Sequence, residues 1–266
     1  MFRAFYSLSK IPFSKDISPA EAFSSSSHTE VLARLDFLKK TRGVGLITGE
    51  AGAGKTLALR SFSVSLNPSL FKPIYLPLSS LTVMDTYRSL AKGLGVNASF
   101  RKIDLFHQIQ NAIFDLFKNR GITPVFILDE MQLSRDAFLS DIALLFNFAM
   151  DSENPFILIL VGLPHLNSKL SLAQHRPLNQ RILTRYNFDP LSLDETFVYL
   201  KQHLATAGAT HEIFSESAVR SIFSLSSGWP RVINQLATHA LFSGCQFKKN
   251  IVDEECVRSA AVEAGL

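Results

Sequence analysis

Gly49-Glu50-Ala51-Gly52-Ala53-Gly54-Lys55-Thr56 is the stretch that decides the fold. Its order, a glycine, four residues, then Gly-Lys-Thr, is that of a phosphate-binding loop. Each fixed position has a task with charged phosphates. The small residues Gly49, Ala51, Gly52, Ala53 and Gly54 let the backbone curl so that successive N–H groups converge on an anion. Lys55 adds a point charge at the β/γ-phosphates, and the Thr56 hydroxyl is placed to ligate Mg²⁺. The run from Leu57 to Ser65 reads as a helix, whose N-terminal dipole favours the same phosphates. Upstream, Val44-Gly45-Leu46-Ile47-Thr48 suits a buried strand. A loop between strand and helix is the context this motif requires, so the expected nucleotide-binding set is Gly49, Glu50, Ala51, Gly52, Ala53, Gly54, Lys55, Thr56 and Leu57.

Bulk properties narrow the class. A chain of 266 residues can bury a substantial core as one domain or two small ones. The net charge of +4 permits contact with nucleic acid without arguing for it, because such a surplus is usually solvated surface. Cys245 and Cys256 carry no motif and are too few for a secreted disulfide scaffold, which fits a reducing compartment. The N-terminus lacks an apolar core of signal-peptide length. The longest apolar run, Phe156 to Leu163, falls far short of the roughly 20 residues that cross a bilayer. The expectation is a cytoplasmic protein with no membrane segment.

Residues 1–28 read as irregular, broken by Pro12, Pro19 and the run Ser24 to Ser27, and are expected to pack on the core. Helices are predicted over 29–41, 83–94, 102–119 and 133–150, and strands over 73–77, 124–128 and 155–161. The 102–119 helix rests on Leu105, Ile109, Ile113 and Phe117 repeating every four residues. Residues 186–188 are a weak fifth strand. After Pro190 the pattern becomes helical throughout. Ser192-Leu193-Asp194-Glu195 forms a capping box that opens a helix to Gly208, followed by helices near 217–225, 230–244 and 253–264. Strands alternating with helices, then helices alone, predict a parallel α/β domain over 29–190 and a helical domain over 191–266.

The second half of the site is Asp129-Glu130, at the end of the apolar strand Val125-Phe126-Ile127-Leu128. There an ATPase places a carboxylate that serves the metal and a base that polarises the attacking water. Strands often end in two solvated acids, so the weight comes from the loop upstream. Gly228-Trp229-Pro230-Arg231 opens a helix from which an arginine can reach phosphates, although proline at a helix start is ordinary. Arg181 precedes the fifth strand, where an arginine can complete a neighbouring subunit's site as a finger; Arg185 competes for that role.

These residues, in this order, resemble the AAA+ ATPases, and within them the group containing the ExeA-type secretion ATPases and the ATPases paired with DDE transposases (the TniB, TnsC and Mu B kind). The resemblance runs over nearly the whole chain: Phe5-Tyr6 and Pro12-Phe13, Asp129-Glu130-Met131-Gln132-Leu133, Val161-Gly162-Leu163-Pro164, Gln180-Arg181-Ile182, and Gly228-Trp229-Pro230-Arg231-Val232-Ile233-Asn234. It implies a five-stranded parallel sheet of order 5-1-4-3-2 with a C-terminal helical lid. It also implies ATP and Mg²⁺ held by Lys55, Thr56 and Asp129, Glu130 as base, and Arg231 as the sensor-2 arginine. One position departs from the pattern. The polar sensor of the fourth strand, glutamine in many relatives, is Leu163, which cannot orient water. Hydrolysis is then expected to be slow, or to use His165 or Asn167.

The resemblance leaves two main functions. The first is a transposition regulator that binds ATP, assembles head-to-tail on double-stranded DNA as a ring or filament, and recruits a DDE transposase. Its DNA contacts would be non-sequence-specific, through Arg101 and Lys102, with Arg88, Lys92, Lys118 and Arg120 as further cations. The alternative is a secretion or envelope-assembly ATPase acting on protein partners. Members of that kind usually continue into a membrane helix, so an end at Leu266 weights the expectation toward transposition. A nucleotide-gated switch that never contacts DNA is a third reading.

Overall fold

The computed structural model describes residues 2–14, 17–77 and 82–265. In chain order the first elements are α1 (Phe2–Phe5), α2 (Ser26–Thr41), β1 (Gly43–Thr48), α3 (Lys55–Ser65), β2 (Phe71–Pro77), α4 (Val83–Leu94), α5 (Lys102–Phe114) and β3 (Thr123–Asp129). There follow α6 (Asp136–Leu145), β4 (Ile157–Gly162), α7 (His165–Leu170), α8 (Arg176–Gln180), β5 (Ile182–Asn187), α9 (Leu193–Thr206), α10 (Glu216–Ser226), α11 (Pro230–Gln246) and α12 (Glu254–Ala264). Two compact units emerge. An α/β unit takes Glu30–Glu50 and Ala58–Phe188, and a helical unit takes Met1–Thr29, Ala51–Leu57 and Asp189–Leu266.

The α/β unit is built on a five-stranded parallel sheet of order β2-β3-β4-β1-β5, the order the resemblance implies. Every residue of β1, β3 and β4 is buried, which is why these segments read as unbroken apolar runs. The edge strands β2 and β5 are only partly covered. Register pairs Thr48 with Gly162 and with Asn187, and Pro77 with Asp129, so the carboxyl ends of the strands lie along one edge of the sheet. In open α/β sheets that edge is where ligands bind.

Three elements depart from their predicted bounds for reasons the packing shows. The strand β5 runs over Ile182–Asn187 and not 186–188, because a half-exposed edge strand needs no continuous apolar run. The helix predicted over 102–119 ends at Phe114 and continues as a wide π turn over Asp115–Asn119. That turn rotates the face, so Leu116 is buried and Phe117 instead lies under the Arg42 guanidinium, 4.6 Å from the ring centroid. The helix predicted over 133–150 shortens to α6. Phe146 and Phe148 leave it to pack with Phe126 and Phe156, at centroid distances of 5.1 Å for Phe126–Phe146 and 4.7 Å for Phe146–Phe156.

In the helical unit, Leu200, Ile222, Ile233, Leu236, Leu241 and Val257 are buried where α9, α10, α11 and α12 meet. The predicted capping box is present: Glu195 N–H donates to Ser192 Oγ at 3.1 Å, and Ser192 N–H donates to Glu195 Oε2 at 2.9 Å. The other Glu195 oxygen accepts from Ser26 N–H at 2.7 Å, so one carboxylate serves two helix starts. The N-terminal segment is more ordered than its prolines and serines predict. It opens with α1, and its aromatics pack among the C-terminal helices: Phe2 lies 4.7 Å from Phe242, and Phe13 stacks on His203 at 5.4 Å. Tyr6 is buried and donates to the Lys249 carbonyl at 3.0 Å. Burial of each such side chain stabilises by roughly 1.5–3 kcal/mol.

Candidate functional site

The phosphate loop leaves β1 at Thr48 and enters α3 at Lys55. Gly49 N–H donates to the Gly162 carbonyl at 3.3 Å, which ties the loop's first residue to the end of β4. Thr48 is buried and its Oγ1 is held from both sides, donating to Asn187 Oδ1 at 3.0 Å and accepting from Asn167 Nδ2 at 3.0 Å. The strand end is therefore fixed by β5 and α7 immediately before the loop. Gly52 and Gly54 adopt φ of +88° and +99°, the left-handed region that a curled anion cradle demands and that favours glycine. Ala53 is buried, whereas Gly52 and Gly54 are partly exposed.

Arg231 lies directly on this loop. A Cβ placed on Gly52 would come within 2.2 Å of Arg231 Cβ and 2.9 Å of its Nε, so the arginine fits only because residue 52 has no side chain. Arg231 stands in the first turn of α11, after Trp229 in extended conformation and with Pro230 as the first helical residue. The packing of Leu236, Ala237 and Ala240 fixes that helix within its unit. The sequence reading therefore paired two distant segments that the structure brings into contact.

At the end of β3, Asp129 is buried and both its oxygens accept hydrogen bonds: Tyr75 Oη donates to Oδ2 at 2.9 Å and Glu130 N–H to Oδ1 at 2.8 Å. The Tyr75 hydroxyl is pushed up to about 12 by burial, by its bond to Asp129 and by the charges of Asp129 and Glu130, so it stays a neutral donor. Glu130 is exposed and left-handed, with φ 59° and ψ 33°, an uncommon state for this residue type. Its carboxylate accepts from Gln132 Nε2, while Gln132 Oε1 accepts from Leu163 N–H at 3.1 Å. Sequence reasoning noted Gln132 only as part of a motif and gave Tyr75 no role. Their signal was the polar residue two places beyond the second acid, and the tyrosine near the end of the preceding strand.

The remaining predicted residues fall in several places. Leu163 offers this network only its backbone N–H; Asn167 is engaged with Thr48, and His165 is exposed. Arg181 donates to the Ala143 carbonyl at 2.5 Å, and Arg185 donates to Asn179 Oδ1 at 2.7 Å and to its carbonyl at 2.9 Å. Arg101 is exposed just before α5, but Lys102 bonds both oxygens of Asp141, at 2.8 and 2.7 Å. Arg88, Lys118 and Arg120 pair with Asp85, Glu153 and Asp115. Much of the positive charge once set aside for DNA is therefore offset locally. A cavity of about 770 Å³ in the helical unit, lined by Phe197, Lys201, Leu204, Ile213, Phe214 and Arg220, contains none of these site residues.

The described residues hold no cluster of three His, Cys, Asp or Glu side chains suited to a metal, and no helix long and apolar enough to cross a membrane. A family model described as an AAA domain matches residues 38–170, half of the chain. The chain belongs to the AAA family. The AAA chain is 32% identical over 254 residues to General secretion pathway protein A of Aeromonas hydrophila, a match covering 91% of the chain but 45% of that relative. The chain thus spans less than half of the curated relative's length. The fold is also that of a Cdc6p crystal structure from Pyrobaculum aerophilum, with TM-score 0.73, 18% identity and coverage of 94% of this chain and 70% of that one. It likewise matches the Aeropyrum pernix ORC1 protein in complex with DNA, with TM-score 0.67, 16% identity and coverage of 95% and 68%. At those identities the AAA chain shares architecture with both proteins, and the likeness speaks for the fold alone.

Proposed function

We propose that the chain is an ATP-hydrolysing AAA+ module that acts on protein partners in a secretion or envelope-assembly system. The contact of Arg231 with Gly52 carries the nucleotide part of this reading, because it sets a permanent cation against a loop curled for phosphate. The relative with a secretion-pathway name supports the protein-partner part, and it favours that alternative over the transposition regulator. An end at Leu266 carries no weight against this reading, since the match spans only 45% of that relative.

The residues fit ATP and Mg²⁺. An added Cβ on Gly54 meets no atom within 4 Å, so the loop has open space at its left-handed glycine. Among the described residues no carboxylate cluster would hold the ion by itself, and a magnesium ion usually comes with phosphate oxygens. In this reading the amides of Glu50 to Leu57 and the Lys55 ammonium hold the phosphates, while Gly49 anchors the start of the loop through its bond to Gly162. Thr56 and Asp129 serve the metal, and Arg231 senses the γ-phosphate. Mg²⁺ supplies charge neutralisation when bound. Glu130 accepts the proton of the attacking water. Arg181 is the proposed finger toward a neighbouring subunit in a head-to-tail oligomer, a use that requires its release from the Ala143 carbonyl; Arg185 is the alternative.

ATP binding and turnover test the proposal. Lys55→Ala should weaken binding of a fluorescent ATP analogue by roughly 10-fold or more, the loss of a charge-assisted bond. Glu130→Gln should bind normally and lower hydrolysis by roughly 100-fold or more, to a residual rate that can still be measured. Unchanged affinity in the first variant, or unchanged turnover in the second, refutes the assignment. ATP-dependent, salt-sensitive binding to a random DNA duplex would return the chain to the transposition reading.

A further inference from the structure

Gln132 joins two groups that have opposite needs. The Glu130 carboxylate can only accept, and the Leu163 N–H can only donate. An amide turned one way satisfies both: Nε2 donates to Glu130 Oε2, and Oε1 accepts from Leu163 N–H at 3.1 Å. Turned the other way, it would set oxygen against carboxylate and N–H against N–H, so the partners fix the orientation. Glutamate in this place would lack the donor, and leucine would lack both functions.

The surroundings are shaped for that amide. A Cβ on Gly162 would come within 2.8 Å of Gln132 Oε1 and 3.3 Å of its backbone nitrogen, so the last residue of β4 leaves the room the side chain fills. The turn that carries Gln132 is pinned at several points. Met131 is fully buried, Leu133 N–H donates to the Glu130 carbonyl at 2.9 Å, and Ser134 Oγ donates to the Met131 carbonyl at 2.6 Å. The Lys169 ammonium donates to the Ser134 carbonyl. Glu130, by contrast, is exposed and stands in left-handed backbone, a conformation that persists when its surroundings over-determine it. An exposed glutamate has many rotamers, and the bond to Gln132 selects among them.

We propose that Gln132 is the positioning residue for Glu130, and that it makes the polar connection to the end of β4 that Leu163 cannot make through its side chain. This rests on Glu130 acting as the base. Gln132 itself touches neither water nor phosphate in the proposal; its effect passes through the carboxylate.

The test is a double-mutant cycle on ATP turnover with Gln132→Ala, Glu130→Gln and the pair, with ATP affinity measured in parallel. Gln132→Ala should lower kcat by roughly 10- to 100-fold, the scale of a misplaced catalytic group, and leave KM and ATP affinity within about threefold. In the Glu130→Gln background the same change should cost nothing further, because a residue acting through Glu130 has nothing left to position. A merely structural role would slow both backgrounds alike. Gln132→Glu keeps the shape and removes the donor, so it should fall as far as Gln132→Ala; it serves if the alanine variant does not fold. Unchanged or raised kcat in a folded Gln132 variant, or additive losses in the pair, overturns the inference. A wild-type protein that binds ATP and never hydrolyses it defeats the ATPase reading instead.

Discussion

His203 ties the helical unit's stability to pH. Its ring lies between Phe13 and Tyr199, at centroid distances of 5.4 and 4.2 Å, and is 8% exposed. Burial lowers its pKa from an ordinary 6.5 to about 4. A base that titrates lower when folded costs nothing where both states are neutral, and opposes folding once the unfolded chain takes up a proton that the folded state does not. The stability is therefore fully present above 6.5 and is lost as pH falls toward 4. The interval corresponds to roughly 3 kcal/mol, a large share of a small unit's stability. Trp229, the chain's one tryptophan, lies in the same unit and reports its unfolding by fluorescence. Urea titrations between pH 7 and 4 should show His203→Phe, ring-shaped and unable to protonate, losing less than wild type by about that amount; buried His28, whose pKa is also lowered by burial, declines equally in both. If the two proteins decline in parallel, the buried-imidazole argument is wrong. Asp253 does not confuse the result. Lys249 holds its carboxyl down at about 2, so its contribution is lost only below its ordinary value of 3.8.

Two further outcomes follow from geometry. Gly52→Ala adds a Cβ at a φ of +88° and within 2.2 Å of Arg231 Cβ, so ATP affinity should drop by roughly 5- to 30-fold from the backbone term alone, read by titration with a fluorescent analogue; unchanged affinity would remove Arg231 from the loop. Glu195→Ala releases the N–H groups of both Ser26 and Ser192, so the urea unfolding free energy followed at Trp229 should fall by about 1–2 kcal/mol, and a loss below a few tenths would deny the double cap.

The nucleotide loop and the central strands were legible because their chemistry is local. A curled anion cradle needs small residues in a fixed order, and a strand buried on both faces needs an unbroken apolar run, as β1, β3 and β4 show. The misreadings arose where distant residues decide. Between Leu133 and Met150 no glycine or proline marks the end of α6; the helix stops where Phe146 and Phe148 pack on Phe156, just before β4. Spacing placed Phe117 on the buried face, and one π turn gave that face to Leu116. Within the site, Arg231 was legible from its motif, whereas the bonds of Tyr75 and Gln132 depend on strand register and a turn that no spacing announces.

Leu163 bears on how the proposed activities divide. The loop and Arg231 meet through Gly52, while the loop's first residue, Gly49, is bonded to the Gly162 carbonyl at the end of β4. The bonds around Glu130 run through Gln132 to the backbone of Leu163, while Asn167, the nearby polar alternative, is spent on holding Thr48. In the proposed reading, ATP affinity rests chiefly on the loop and Arg231, and ATP turnover on the bonds around Glu130. A glutamine at position 163 would add an amide beside the one that already occupies this gap. Without it, the rate depends on how well a single side chain holds the base, and affinity does not. That separation suits an ATPase in which bound nucleotide maintains an assembly and hydrolysis sets how long it lasts.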